Sequence, residues 1–293
     1  MNYERVRVAV LGASGFIGRW TARKLTEAKA ELFLFVRDAN FARVVFDRYN
    51  IQGKIIKCDF STSEWENTYE SIAHQINGKL PERICRVIEQ SMDLKWQGQN
   101  LVHAGSALEY GEIAGDLSET SVPNPTTLYG KSKLEGTQVI AKSGIKSAIA
   151  RLFTVYGPGE HAGRLLPDLL KASRTGKEVK LTAGVQKRDF TFVEDVAEGL
   201  LRLGLSSTVP AEIINLATGK LISVREFAET AAVILNIRTE QLSIGALPTR
   251  TEEMEHSEVS IRRLREVLGW SPATSITQGI QKTQEFERGS DGI

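Results

Sequence analysis

A short apolar strand, Arg5–Leu11, runs directly into Gly12-Ala13-Ser14-Gly15-Phe16-Ile17-Gly18, and a helical pattern follows over Gly15–Ala28. This strand, GxxGxxG and helix succession constrains the chain more than any other feature. Gly12 suits the tight turn out of the strand. Gly15 lets backbone approach a pyrophosphate, and Gly18 lets the helix pack closely on the sheet. The helix start, around Ser14, Phe16 and Ile17, offers unpaired N–H groups and the positive end of a helix dipole. Flanked in this way, the loop reads as a dinucleotide cradle and not as a plain glycine turn.

The second strand, Glu31–Val36, ends in Arg37-Asp38. An acid at such a strand end binds the adenosine ribose hydroxyls of NAD, whereas a guanidinium suits the 2′-phosphate of NADP. Arg37 therefore points to NADP, with NAD as the alternative and Asp38 then the ribose ligand. Asp59, after a third strand at Lys54–Cys58, is placed to meet the adenine edge.

Strands and helices alternate through the first half. A helix is expected over Leu80–Met92, a strand over Asn100–Ala104, a helix over Tyr129–Ser143 and a strand over Ser147–Phe153. Such alternation builds a parallel sheet covered on both faces. One strand is missing from the pattern. Between Asp59 and Asn77 the polar, helix-like STSEWENTYESIAHQIN stands where an apolar strand is due. Loss of an inner strand would strip a buried hydrogen-bond ladder, so the expectation is that residues are absent from this segment. Beyond Tyr156 the alternation loosens. Helices are expected over Phe190–Leu203, Ser223–Leu235 and Ser260–Leu268, and a frayed end over Gly289–Ile293.

Composition limits the partners. The 37 basic and 36 acidic residues give a formal net charge of +1, which provides no attraction for nucleic acid or an anionic membrane. No apolar run reaches the roughly 20 residues of a membrane span. Met1–Arg7 carries no secretory leader pattern, and two cysteines, Cys58 and Cys85, suit a reducing compartment, so a cytoplasmic location is expected. His74, His103, His161 and His256 lack metal-ligand spacing, and no metal is expected.

A second signal is Tyr129-Gly130-Lys131-Ser132-Lys133. Residues four apart share a helix face, and an ammonium beside a phenol favours the phenolate. A tyrosine tuned in this way exchanges a proton with an alcohol or carbonyl while hydride moves. Ser106, in Gly105-Ser106-Ala107-Leu108-Glu109-Tyr110-Gly111, falls at the carboxyl end of a strand, where open α/β sheets bind ligands. Its hydroxyl is a candidate to hold the reacting oxygen beside Tyr129.

GASGFIG, SALEYG, YGKSK, RLFTVYGPG (Arg151–Gly159) and RDFTFVEDVAEGL (Arg188–Leu200) occur in this order, and the chain closes on LGWSPATSITQGI. The sequence resembles, over nearly its whole length, the extended short-chain dehydrogenases called NAD-dependent epimerase/dehydratases. The resemblance implies a doubly wound parallel (Rossmann) α/β domain over residues 1–153 and 187–217, with a smaller, mixed substrate lobe from 154–186 and 218–293. It implies that Tyr129 is the acid/base, that Lys133 holds the nicotinamide ribose and that Ser106 orients the substrate oxygen. Asn77 resembles the family asparagine ahead of the Asn100–Ala104 strand and is implied to contact the cofactor. Arg188 and Arg250 fall where relatives bind the nucleotide diphosphate, and Thr154 stands where many have asparagine. A nucleotide-diphosphate sugar is the implied substrate and a homodimer the implied assembly.

Family members share hydride exchange at a sugar carbon and differ in the acids and bases that follow it. The 4,6-dehydratases of the family carry a glutamate two residues before the tyrosine matching Tyr110, where this chain has Leu108. Glu109 follows, and in an extended segment it would point to the opposite side. Epimerase and 4-ketoreductase are therefore the two leading expectations, with 4,6-dehydratase ranked below them. The alternative outside catalysis is a cofactor-binding sensor, which the joint presence of Ser106, Tyr129 and Lys133 disfavours.

Overall fold

The structure is a computed structural model that describes residues 1–60, 73–91, 96–113, 115–207, 211–248 and 258–289. Its first ladder contains β1 (Arg7–Leu11), β2 (Glu31–Val36) and β3 (Lys54–Lys57), all parallel and ordered β1-β2-β3. Strand β2 alternates, burying Leu32, Leu34 and Val36. Helix α1 (Phe16–Glu27) connects β1 to β2 and turns Trp20, Ala22 and Leu25 inward. Helix α2 (Ala39–Tyr49) follows β2 and was not evident from periodicity; Asp38 caps it, and its Tyr49 ring meets Trp20 edge-on at 5.2 Å.

A second parallel ladder contains β4 (Leu101–Ser106), β5 (Ser147–Leu152) and β9 (Glu212–Leu216), with β5 in the middle. Every residue of β5 is buried, Ser147 and Arg151 included. Helices α3 (Leu80–Ser91) and α4 (Leu128–Lys142) cover one side. A π-helical segment, Gln75–Lys79, leads into α3. Helix α6 (Val193–Leu205) packs against α1, so that one core joins Val10, Trp20 and Leu34 to Ala150, Leu203 and Ile214.

Among the described residues, no strand intervenes between β3 and β4, and β1 and β4 each have one ladder partner. Among the described residues, the parallel strands thus fall into two three-stranded ladders. Most of the polar segment where a strand was expected, residues 61–72, lies outside the described residues.

The second core contains Tyr156, Leu166, Phe190, Phe192, Phe227 and Ile280. It lies among α5 (Leu165–Thr175), α7 (Val224–Leu235) and α9 (Ile276–Arg288), beside the sheet of β6 (Thr154–Tyr156), β8 (Lys187–Phe192) and β10 (Leu221–Ser223). The Phe190 and Phe227 rings stack at 4.3 Å, a contact worth about 1 kcal/mol beyond its buried area. Two short strands, β7 (Val179–Leu181) and β11 (Leu242–Ile244), pair in parallel. The last short helix, α8 (Arg262–Leu268), packs with the main core through Leu264.

One sequence expectation fails here. Phe190–Phe192 does not begin a helix: it ends strand β8, and α6 starts at Val193. Phe190 and Phe192 alternate with Asp189 and Thr191, which is a strand period, but all four are buried and the alternation carries no contrast with solvent. The buried Asp189 carboxylate accepts from Thr191 Oγ1, from Thr218 N and Oγ1, and from the amides of Gly219 and Lys220. It clamps the β9–β10 turn onto β8. Of the predicted end at Gly289–Ile293, residues 290–293 lie outside the described residues.

Candidate active site

The glycine loop follows β1 as expected. Gly12 has φ +70°, a left-handed conformation that glycine adopts without strain, and a Cβ on Gly18 would strike the Gly12 carbonyl. Gly15 is the N-cap of α1 and supplies no side-chain cap, and the first turn, with Phe16, Ile17 and Gly18, contains no acid. Its N–H groups and dipole therefore remain available to an anion. Sequence reasoning missed Arg19, whose Nη2 donates to the Ser14 carbonyl at 2.8 Å and Nε to that of Gly15 at 3.1 Å. The same guanidinium lies 5.3 Å from the Tyr49 ring centroid. Trp20 Nε1 donates to Pro158 O at 2.9 Å, tying α1 to the Gly157-Pro158-Gly159 loop. This arrangement fits a dinucleotide pyrophosphate.

At the end of β2, Arg37 is exposed. The Asp38 carboxylate accepts the amides of Asn40 and Phe41 at 2.9 and 3.0 Å, and so serves first as the cap of α2. Asp59 is half-buried just beyond β3.

Helix α4 starts where Thr127 Oγ1 accepts the Gly130 amide at 3.0 Å. That cap sets Tyr129 in the first turn, with 37% of its surface exposed and so within reach of a substrate. Gly130 lets the turn after β4 pack on this helix end, since a Cβ there would strike the Leu108 carbonyl. Lys133, one turn on, has its Nζ 5.8 Å from the Tyr129 ring centroid and donates to Ala104 O at 3.0 Å. Burial lowers its pKa below the usual lysine value, and the Glu109 charge opposes that shift. His103 lies nearby on β4. Its Nε2 is buried with no hydrogen-bond partner among the described residues, and burial followed by the Lys133 charge lowers its pKa to about 3.

Asn77 belongs to the π-helical segment, a rare geometry that recurs at functional sites. Its Nδ2 donates to Ser132 Oγ at 3.0 Å, and Ser132 Oγ donates to Tyr129 O at 2.9 Å. Gly136 permits this approach, since a Cβ there would strike the Asn77 carbonyl.

Ser106 ends β4, and its Oγ accepts the Leu108 amide at 3.2 Å. The following residues are not extended. Ala107–Glu109 form one turn of 3₁₀ helix, which folds Glu109 back under Ser106. Glu109 Oε1 accepts the Ser106 amide at 2.8 Å, and Oε2 accepts Arg151 Nε at 3.0 Å, with both side chains buried. The Arg151 guanidinium also lies 4.3 Å from the Tyr110 ring centroid, and Tyr110 OH donates to Asn215 Oδ1 at 2.7 Å. Sequence reasoning missed this ion pair. The available signal was Arg151 itself, a charge in the middle of the buried strand SAIARL that requires a buried partner.

Thr154 opens β6 opposite Phe190 of β8, and Arg188 is half-exposed on β8 with Nη1 donating to Lys187 O at 2.9 Å. Arg250 lies outside the described residues. The geometry thus groups Ser106, Tyr129, Lys133 and Asn77 around the start of α4, with the glycine loop, Arg37 and Asp59 at the ends of the first ladder. Among the described residues there is no His/Cys/Asp/Glu group suited to a metal, and no helix is long and apolar enough to cross a membrane.

A model of the NAD dependent epimerase/dehydratase family matches residues 8–217. A dTDP-6-deoxy-L-talose 4-dehydrogenase (NAD(P)(+)) from Kitasatospora kifunensis is 24% identical, covering 94% of each chain. A UDP-glucuronate 4-epimerase from Thermodesulfobacterium geofontis is also 24% identical, over 92% of this chain and 83% of its own. The solved structure of UDP-glucuronic acid 4-epimerase from Bacillus cereus with UDP-glucuronic acid and NAD superposes with a TM-score of 0.83. It is 18% identical, with 97% of this chain and 100% of that chain covered.

Proposed function

Since the chain belongs to the NAD dependent epimerase/dehydratase family of enzymes, we propose that it is a nucleotide-sugar 4-ketoreductase that uses NADP. The observation that carries this reading is the end of β2: Arg37 is exposed there, while Asp38, the acid that would bind an NAD ribose, is engaged in capping α2. A guanidinium so placed suits a 2′-phosphate. The similarity to a 4-dehydrogenase described as NAD(P)-dependent supports the same reading.

In this reading, Gly12, Ser14, Gly15, Phe16, Ile17 and Gly18 hold the pyrophosphate, Arg37 the 2′-phosphate, Asp59 the adenine edge and Lys133 the nicotinamide ribose. The bound cofactor supplies the hydride. Tyr129 gives its phenolic proton to the sugar C4 oxygen as the carbonyl is reduced, and Ser106 donates a hydrogen bond to the same oxygen. The Lys133 ammonium stabilises the phenolate that remains. Asn77 steadies this helix start through Ser132. Arg188 and Thr154, with Arg250, serve the nucleotide diphosphate at the smaller lobe. The expected assembly is a homodimer formed through α4 and its neighbour.

Glu109 favours a second reading, that of a 4-epimerase. Its carboxylate is engaged by Arg151, and Leu108 offers no base, so among the described residues of the Ser106 turn no acid is available to remove a C5 proton. An epimerase needs only Ser106, Tyr129 and Lys133, and relatives of that activity are similar to this chain.

Mass spectrometry of a nucleotide-sugar panel, including 4-keto-6-deoxy sugars, separates the readings. Gain of two hydrogens only with added NADPH supports the ketoreductase. An isomer of unchanged mass without added reductant supports the epimerase, and loss of water overturns both.

A further inference from the structure

We infer that Glu109 is a positioning residue: its carboxylate, anchored by Arg151, holds the Ser106 turn so that the serine hydroxyl is presented beside Tyr129. The inference rests on the reading of Ser106 and Tyr129 as reacting groups. Three observations carry it. Glu109 is fully buried and divides its two oxygens between the Ser106 amide at 2.8 Å and Arg151 Nε at 3.0 Å. Arg151 cannot move away, because it lies in the fully buried β5, paired on both sides by β4 and β9, with its guanidinium over Tyr110. The same turn packs on the first residues of α4, where the Leu108 carbonyl occupies the space that Gly130 leaves. The carboxylate therefore connects a rigid central strand to the turn that packs on the first residues of α4.

The geometry also defines the Ser106 proton. Ser106 Oγ accepts the Leu108 amide, which occupies a lone pair and leaves the O–H to donate. Loss of the Glu109 charge releases the turn from its anchor on Arg151, and the turn can then rotate that hydroxyl away. A 1 Å misplacement of such a group is enough to cost about 100-fold in rate.

The test uses Glu109→Gln and the double variant Glu109→Gln/Arg151→Met, with Tyr129→Phe in parallel. Glutamine retains an acceptor for the Ser106 amide but surrenders the ionic anchor. The single variant leaves Arg151 buried and unpaired and can fail to fold, whereas the double variant removes both charges. The expected result is kcat lower by about 30–100-fold, with KM for the sugar and Kd for NADPH within two-fold, in whichever variants fold. Amide hydrogen exchange of the 104–110 segment should accelerate in the same proteins. Wild-type kcat in a stably folded double variant, or unchanged exchange at 104–110, overturns the inference. Full turnover by Tyr129→Phe instead overturns the assignment of the reacting groups, and the exchange measurement still decides whether Glu109 holds the turn.

Discussion

Lys133 Nζ donates to the carbonyl of Ala104 across 3.0 Å, joining the helix that carries Tyr129 to the last residues of β4. The ammonium is held in a buried position, where its charge is costly, and its pKa is lowered accordingly. The ammonium stands one helical turn from the phenol, 5.8 Å from its ring centroid. Lys133→Met should fold, since methionine fills the same volume without a buried charge. Its kcat should fall by about 100-fold or more, with circular dichroism unchanged. Wild-type turnover in this variant would remove Lys133 from the mechanism.

His103 faces Lys133 and has a folded-state pKa of about 3 against an ordinary value of 6.5. Above pH 6.5 the ring is neutral whether the chain is folded or not, and it contributes nothing to pH dependence. As the pH falls from 6.5 toward 3, the unfolded chain binds a proton that the folded one refuses, so stability declines. At pH 5 this decline amounts to about 2 kcal/mol. His103→Phe should therefore lose less stability between pH 8 and pH 5, as read from urea midpoints. Equal losses in the two proteins would show that His103 is not the acid-sensitive group.

Asp189 holds the Thr218–Lys220 turn through backbone and hydroxyl donors; in Asp189→Ala the Thr218 and Gly219 amides lose their acceptor, while Lys220 N keeps Thr218 Oγ1 and Thr218 Oγ1 keeps Lys220 O. Each buried donor left unsatisfied costs about 1–3 kcal/mol. The expected destabilisation is about 3 kcal/mol, which lowers Tm by roughly 6 °C. A Tm within a degree of wild type would mean that the turn is held by other contacts.

Arg37 is the residue on which the NADP reading stands. Arg37→Ala should weaken NADPH binding by about ten-fold or more and leave NADH unchanged, because only NADPH places a phosphate at that strand end. Fluorescence titration of both cofactors decides this. Tighter NADH binding by the unaltered protein would reverse the assignment and strengthen the epimerase reading.

The glycine loop, the α/β alternation and the Tyr129–Lys133 pair were legible in the amino-acid sequence because each depends on neighbours within a turn or two. Gly12 needs only its own positive φ, and residues 129 and 133 share a helix face wherever that helix lies. Chain-local rules could not reveal the partners of buried charges. Glu109 and Arg151 are 42 residues apart, Asp189 and Gly219 30 apart, and both pairings depend on which strands lie side by side. For the same reason the strand at Phe190–Phe192 was read as helix: complete burial removes the contrast between faces on which periodicity depends. Local backbone preference determined where the cradle and the tyrosine helix would form. Tertiary burial decided which polar groups had to find one another, because a charge withdrawn from water must be compensated by whatever the fold brings beside it.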